Sequence, residues 1–231
     1  MNLRSLYRVS AIVLVIQLAL AAYGLWLVGP DAQVPVHWGV DGQADQWATA
    51  IVGFAMVPLI TVGIVALFAL VPRIEPRRRN LERSAPAYRT TAIAVVVFLG
   101  VAQAVVVLAS LGDTLPMAGI VGFGIGLLFI VMGNVLTTVR SNFLFGVRTP
   151  WTLSSDLAWD RTQRLVGRLF VLAGLTLVVL TLSGNVELVV GAMVGWVVVI
   201  LVASFGYSYR VWKNDPDKRA FGAGRDEGSA V

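Results

Sequence analysis

Apolar residues run through this chain in six long stretches, at about 9–29, 51–72, 91–111, 118–139, 166–183 and 187–209, with short polar stretches between them. An α-helix needs about 17–25 mostly apolar residues to cross a hydrocarbon core, and each stretch meets that need. The pattern predicts an all-α integral membrane protein of six transmembrane helices, packed as a single membrane domain over 1–212. Arg4 and Arg8 precede the first stretch, which is longer than the apolar part of a usual cleaved signal peptide, so it reads as a retained helix. The segment 213–231 is polar and glycine-containing and reads as a flexible cytoplasmic tail.

Composition agrees: 57% of the residues are hydrophobic and 13% charged, where a soluble domain carries about a quarter charged. Cysteine is absent, which excludes disulfides and thiolate chemistry, and a lone histidine, His37, excludes a multi-histidine zinc site within one chain. The chain is nonetheless basic, at +5, and the placement of that charge orients it. All 18 lysines and arginines lie before the first stretch, in 73–90, in 140–168, or after the sixth stretch. Loop 30–50 and the two other loops on its side contain none. The positive-inside rule then places both termini and both basic loops in the cytoplasm and loop 30–50 outside. Scarce lysine beside abundant Arg, Ala, Gly and Val suggests a GC-rich bacterium, hence a bacterial cytoplasmic membrane. The cluster "EPRRRNLER" serves as a topology signal that also meets membrane lipids; no direct nucleic-acid binding is expected.

Within the stretches almost nothing ionises, which disfavours ion-coupled transport and intramembrane hydrolysis. The amides of Gln17, Gln103 and Asn134 are expected to hydrogen-bond between helices, with a passive path lined by Gln103 and Asn134 as the alternative. "GFGIG" at 122–126 and "GAMVG" at 191–195 place glycines four apart, a spacing that permits close helix packing.

Candidate chemistry therefore concentrates in two polar loops. The first, "VPVHWGVDGQADQW" at 34–47, gathers His37, Asp41 and Asp45 without a basic residue. Three uses stand open. "DGQAD" can turn the chain, with Asp45 capping a helix from Gln46 and His37 bonding an aspartate or a carbonyl. The loop can form a recognition surface for a basic or amphipathic peptide. His37 with Asp41 or Asp45 can also hold a metal weakly, completed by water or another chain.

The second, "RSNFLFGVRTPWTLSSDLAWDRTQRLVGR" at 140–168, is constrained. Gly146 permits positive φ and Pro150 biases Thr149 toward an extended form. Ser154 or Ser155 can cap a helix that has Asp156 near its positive end and runs into the fifth span. Asp160 precedes Arg164 by four residues, the spacing of a local ion pair. Trp151 and Trp159 suit headgroup depth. Arg148 can close onto carbonyls, hold a lipid phosphate or face a protein.

Together these loops carry a resemblance. The first is similar to a P-x-H-(aromatic)-x-x-x-G-x-x-D segment found near the N-terminus of bacterial membrane proteins. "GNVLTTVRSNFLFGVRTPWTLSSDLAWDRTQRLVG" resembles the signature of the SdpI family, six-span proteins of immunity to a secreted peptide toxin. The resemblance implies that Pro35, His37, Gly42 and Asp45 form the outer, toxin-sensing motif. It likewise implies that Asn134, Asn142, Gly146, Arg148, Thr149, Pro150, Trp151 and Trp159 form an inner motif for signalling or structure. The implied role is immunity to, or sensing of, an antimicrobial peptide, with relay to a cytoplasmic repressor and with neither catalysis nor a cofactor. Passive transport or lipid handling is the alternative, and a metal enzyme using His37 and Asp45 the least favoured. The chain departs from the family twice: Gln163 replaces a customary histidine, and no lysine follows Trp47. Any mechanism that needs that second histidine is disfavoured here.

Overall fold

The first apolar stretch folds as α1, Arg4–Val28, and ends where Gly29 takes φ +85, a left-handed value that favours glycine. The structure is a computed structural model and describes residues 1–39, 41–112 and 117–218. Of the expected tail, 213–231, the residues from 219 onward lie outside the described residues. The hairpin strands β1, Gln33–Trp38, and β2, Ala44–Thr49, come next, and α2, Ala50–Ile74, follows them. Then come α3, Arg78–Arg83, α4, Ala85–Ser110, α5, Met117–Leu136, α6, Pro150–Ser154, α7, Asp156–Thr181, and α8, Val186–Lys213. Six of these helices are long and apolar enough to cross a bilayer, and the chain is a multi-pass membrane protein. Large apolar side chains such as Val15, Leu59 and Val202 stand exposed around the bundle. Outward-facing surface of that kind calls for lipid as its solvent.

The spanning helices form two groups. In the first, α1 packs on α4 and α2; in the second, α5 packs on α7, and α7 on α8. The second group closes most tightly where small residues meet. A Cβ on Gly133 would lie 2.5 Å from the Gly167 carbonyl oxygen, and one on Gly174 would clash with that of Gly126. Backbones this close admit only glycine. Gly126 of "GFGIG" is thus a packing residue, as its spacing suggests. A Cβ on Gly191 or Gly195 of "GAMVG" would meet nothing within 4 Å, so those glycines admit no close helix approach within the chain.

The first group is held by prolines and their consequences. Pro58 and Pro72 lie inside α2, and a proline donates no N–H to the carbonyl four residues earlier. The carbonyls so released are those of Phe54 and Phe68, and α4 satisfies both. Gln103 Nε2 donates to Phe54 O at 3.2 Å, and the Tyr88 hydroxyl donates to Phe68 O at 2.8 Å. Gln17 of α1 donates to Thr61 Oγ1 of α2 at 3.0 Å. Gln17 and Gln103 thus bond between helices as expected. Asn134 does not: its amide donates to Ile130 O within its own helix, from an exposed position.

At the arginine-rich end, α7 starts at Asp156, well before its apolar stretch. Ser155 caps it, accepting from Ala158 N at 2.9 Å, and Asp156 occupies the first turn. The helix runs unbroken into the fifth span, as predicted. The expected Asp160–Arg164 pair is not among the ion pairs formed by the described residues.

Candidate functional site

The loop at 33–49 pairs as an antiparallel hairpin, matching Val34 with Ala48, Pro35 with Trp47 and His37 with Gln46. Its base is anchored because Val34 is buried with Ala21, Ala50, Phe54 and Val107. A Cβ on Gly53 would lie 2.5 Å from Val34 Cγ2, so α2 presses against the strand at that point. Pro35 is buried beside Val34. At the tip, Gly42 has φ +76, and Asp41 Oδ1 accepts from Gln43 N at 3.0 Å, a local aspartate turn. The register is irregular around His37, and such irregularities re-aim side chains.

His37 Nδ1 lies 2.6 Å from Asp45 Oδ1, with the two side chains 57% and 48% exposed. The expected partnership of His37 with an aspartate is therefore formed, at the surface. The expectation that Asp45 caps a helix from Gln46 is corrected: Asp45 lies within β2, and α2 begins at Ala50. Residues 44–49 spend their backbone groups on pairing with β1. The helix start is served instead by the carbonyl of Ala32, which accepts from Ala50 N at 2.8 Å. Among the described residues no cluster of three or more histidine or acidic side chains surrounds this pair. Beneath the tip a groove of about 980 Å3 opens between α4 and α5, lined by Val97, Phe98 and Phe123, with Asp41, Gln43 and Asn185 at its mouth.

At the opposite end, residues 137–155 fold into a compact clasp. Asn142 closes its first turn, with Oδ1 accepting from Leu144 N and Phe145 N while Nδ2 donates to the carbonyls of Arg140 and Phe145. Gly146, at φ +108, brings the chain against α7. There the Gln163 amide makes two bonds to one residue, accepting from Val147 N at 3.1 Å and donating to Val147 O at 2.9 Å. Thr149 and Thr152 form a reciprocal cap on α6, with Pro150 in its first turn. The Thr149 hydroxyl also reaches Ser208 of α8 at 2.9 Å. Trp159 Nε1 donates to Val139 O at 2.7 Å.

Trp159 is enclosed by protein rather than facing headgroups: it is fully buried in the cluster formed with Val139, Val166 and Ala173. Trp151 is half-buried against Phe205 and Tyr209 of α8. Arg148 closes onto a carbonyl, donating from Nη1 to Phe143 O at 3.0 Å. Asn142, Gly146, Thr149, Pro150 and Trp159 are thus brought together, whereas Asn134 bonds only within α5.

Sequence reasoning missed the residues that lock the clasp in place. Glu75, 4% exposed, accepts from Arg77 N at 2.9 Å and from Phe143 N at 3.1 Å. Arg77 donates to the Ser141 hydroxyl and to Leu153 O, and its guanidinium lies 4.5 Å from the centre of the Phe143 ring. Asn80 donates to Ser141 O at 2.8 Å, and Ser84 accepts from Arg140 N at 2.8 Å. Buried Asp215 accepts from the capping Ser155 at 2.5 Å, so the chain just beyond α8 folds back onto α7. The available signal was a carboxylate, Glu75, beginning an otherwise basic run. Nearby, the hydrogen bond from Arg78 and then the positive N-terminus hold the Glu82 carboxyl below the usual carboxylate range.

Comparison with known proteins divides the chain along the same lines. Residues 12–62, which contain the hairpin, match a domain of unknown function, DUF1648. Residues 138–208, which contain nearly all of the clasp, match the SdpI/YfhL protein family. The immunity protein SdpI of Bacillus subtilis (strain 168) is 31% identical over 119 residues, covering 52% of this chain and 57% of that relative. The match thus spans little more than half of the relative's length. No solved structure matches. The hairpin and the clasp thus each lie in a matched segment, and the segment that holds the clasp is similar to the SdpI/YfhL protein family.

Proposed function

We propose that the chain is a non-catalytic immunity protein of a bacterial cytoplasmic membrane. Its hairpin meets a secreted antimicrobial peptide on the outside, and its clasp acts toward a cytoplasmic repressor. The observation that carries this reading is the exposed His37–Asp45 pair, 2.6 Å apart on a hairpin anchored through Val34. A pre-ordered polar pair loses little freedom on binding. It also stands at the end of the molecule whose loops contain no lysine or arginine, which suits a cationic or amphipathic peptide. Pro35 and Gly42 shape the hairpin. Exposed Arg148 has one nitrogen on Phe143 O, and the rest of its planar fork suits a carboxylate of a protein partner.

Survival of a toxin-sensitive bacterial host, challenged with a secreted peptide toxin, tests the reading. Wild type, His37→Ala, Asp45→Asn and Arg148→Ala are compared at matched membrane levels. Wild type protects, the two hairpin variants lose protection, and Arg148→Ala loses relay to a repressor reporter while inserting normally. Full protection by His37→Ala and Asp45→Asn removes the hairpin from the role.

The groove between α4 and α5 favours a second reading, lipid handling, because its walls are apolar and its mouth polar. That reading expects headgroup-labelled lipid to cross liposomes containing the protein faster than empty ones. Immunity by recognition expects no difference.

A further inference from the structure

Away from the hairpin and the clasp, the first turns of α1 meet the second turn of α4 around a cleft of about 460 Å3. It is lined by Asn2, Arg4, Ser5, Arg8, Val9 and Arg89. Among the described residues, none of its three guanidinium groups has a hydrogen-bond or ion-pair partner. Glu82, whose carboxylate reaches this end of α1, is engaged by the Met1 ammonium and Arg78. Local energetics disfavour this arrangement. Arg4 and Arg8 are like charges four apart on one helix, which destabilises it. They also sit at the positive end of the α1 dipole, with no acidic residue in the first turn and, as side-chain acceptor, the neutral Asn2 amide, whose Oδ1 accepts from Arg4 N at 2.9 Å. The positive-inside rule accounts for arginine at this end of the molecule, but not for three arginines facing one cleft without a counter-charge.

The surface directly along the helix identifies the counter-charge. Continuing the four-residue spacing of Arg4 and Arg8 leads to Ile12 and Ile16, which are 60% and 49% exposed. A cationic cleft therefore sits at the head of an apolar stripe, the complement of a molecule with a phosphate at one end and a hydrocarbon chain behind it. We propose that this cleft binds an anionic phospholipid. Its phosphate lies among Arg4, Arg8 and Arg89, and an acyl chain runs along Ile12 and Ile16. Guanidinium groups suit phosphate because their planar forks match its oxygens, and basic pockets between membrane helices on the cytoplasmic side take such headgroups. The bound phosphate also relieves the Arg4–Arg8 repulsion and completes the α1 N-terminus, so the lipid stabilises the packing of α1 on α4.

Native mass spectrometry of the purified full chain in neutral detergent tests this, with phosphatidylglycerol, phosphatidylcholine and inorganic phosphate as separate probes. Wild type retains phosphatidylglycerol in preference to phosphatidylcholine, and inorganic phosphate at equal concentration does not displace it. Arg8→Gln with Arg89→Gln weakens retention by roughly tenfold or more, the loss expected for charge-assisted bonds, while Arg79→Gln with Arg83→Gln on α3 leaves it unchanged. Arg4→Gln alone weakens it in part and serves as the test if the double variant fails to fold. Equal retention of both lipids, equal loss in the α3 control, or displacement by inorganic phosphate overturns the proposal. The last outcome assigns the cleft to a soluble anion.

Discussion

At Gly146 two demands coincide. Its φ of +108 is one a residue with a Cβ resists, and an added Cβ would stand 3.2 Å from both Gln163 Nε2 and Trp159 Cζ2. Gly146→Ala therefore lowers stability by about 1–3 kcal/mol, measured as unfolding in detergent followed by tryptophan fluorescence. Gln163→Leu leaves the Val147 N–H unpaired and its carbonyl with the Thr152 hydroxyl alone, and costs a similar amount, about 1–3 kcal/mol. Gln163→His falls between wild type and Gln163→Leu, because an imidazole reaches one Val147 group where the amide reaches both. An unchanged unfolding midpoint in Gln163→Leu shows that the amide does not hold the clasp. Gly146 was legible in the sequence because glycine before a constrained Val-Arg-Thr-Pro run signals a special backbone angle. Gln163 was legible only as a departure from a pattern, since its role depends on a loop residue brought against it by the fold.

Among the elements, α2 and α4 are coupled through backbone chemistry. Two prolines release two carbonyls, and Gln103 and Tyr88 occupy them. In a bilayer a released carbonyl finds no water, although interhelical bonds measured in membranes are modest. Gln103→Leu alone costs about 1–2 kcal/mol. In a Pro58→Ala background the same change costs less, because the alanine introduced there brings an N–H that supplies the Phe54 carbonyl from within the helix. A double-mutant cycle on thermal unfolding reads that coupling, and strict additivity refutes it. Gln103 was foreseen as an interhelical hydrogen-bonding group. Its partner was not, because no local pattern says which helix lies opposite.

Across the whole molecule the distribution of charge carries the proposed orientation. Because the chain has no native cysteine, single introduced cysteines report it cleanly. Gln43→Cys reacts with an impermeant maleimide in intact cells, whereas Arg79→Cys reacts only after permeabilisation. The reverse pattern inverts the topology and takes the hairpin away from any external ligand. The two helix groups meet through α4 and α5 and through the braces from Glu75, Arg77 and Asn80 to the clasp. Phe145 of the clasp also packs edge-on against Tyr88, at 5.4 Å between ring centres.

The number of spans, their approximate limits and the one-sided placement of basic charge were determined by the sequence by itself. A bilayer imposes a length on each apolar stretch, and a helix satisfies its backbone within that stretch, so both signals are local. Long-range contacts settled that loop 33–49 pairs as strands, that the Trp159 ring is enclosed by protein, and that Glu75 and Asp215 hold the clasp. Those outcomes depend on which distant segments come into contact. A buried carboxylate or indole is stable where a partner group completes its hydrogen bonds, and residues far along the chain supply that partner.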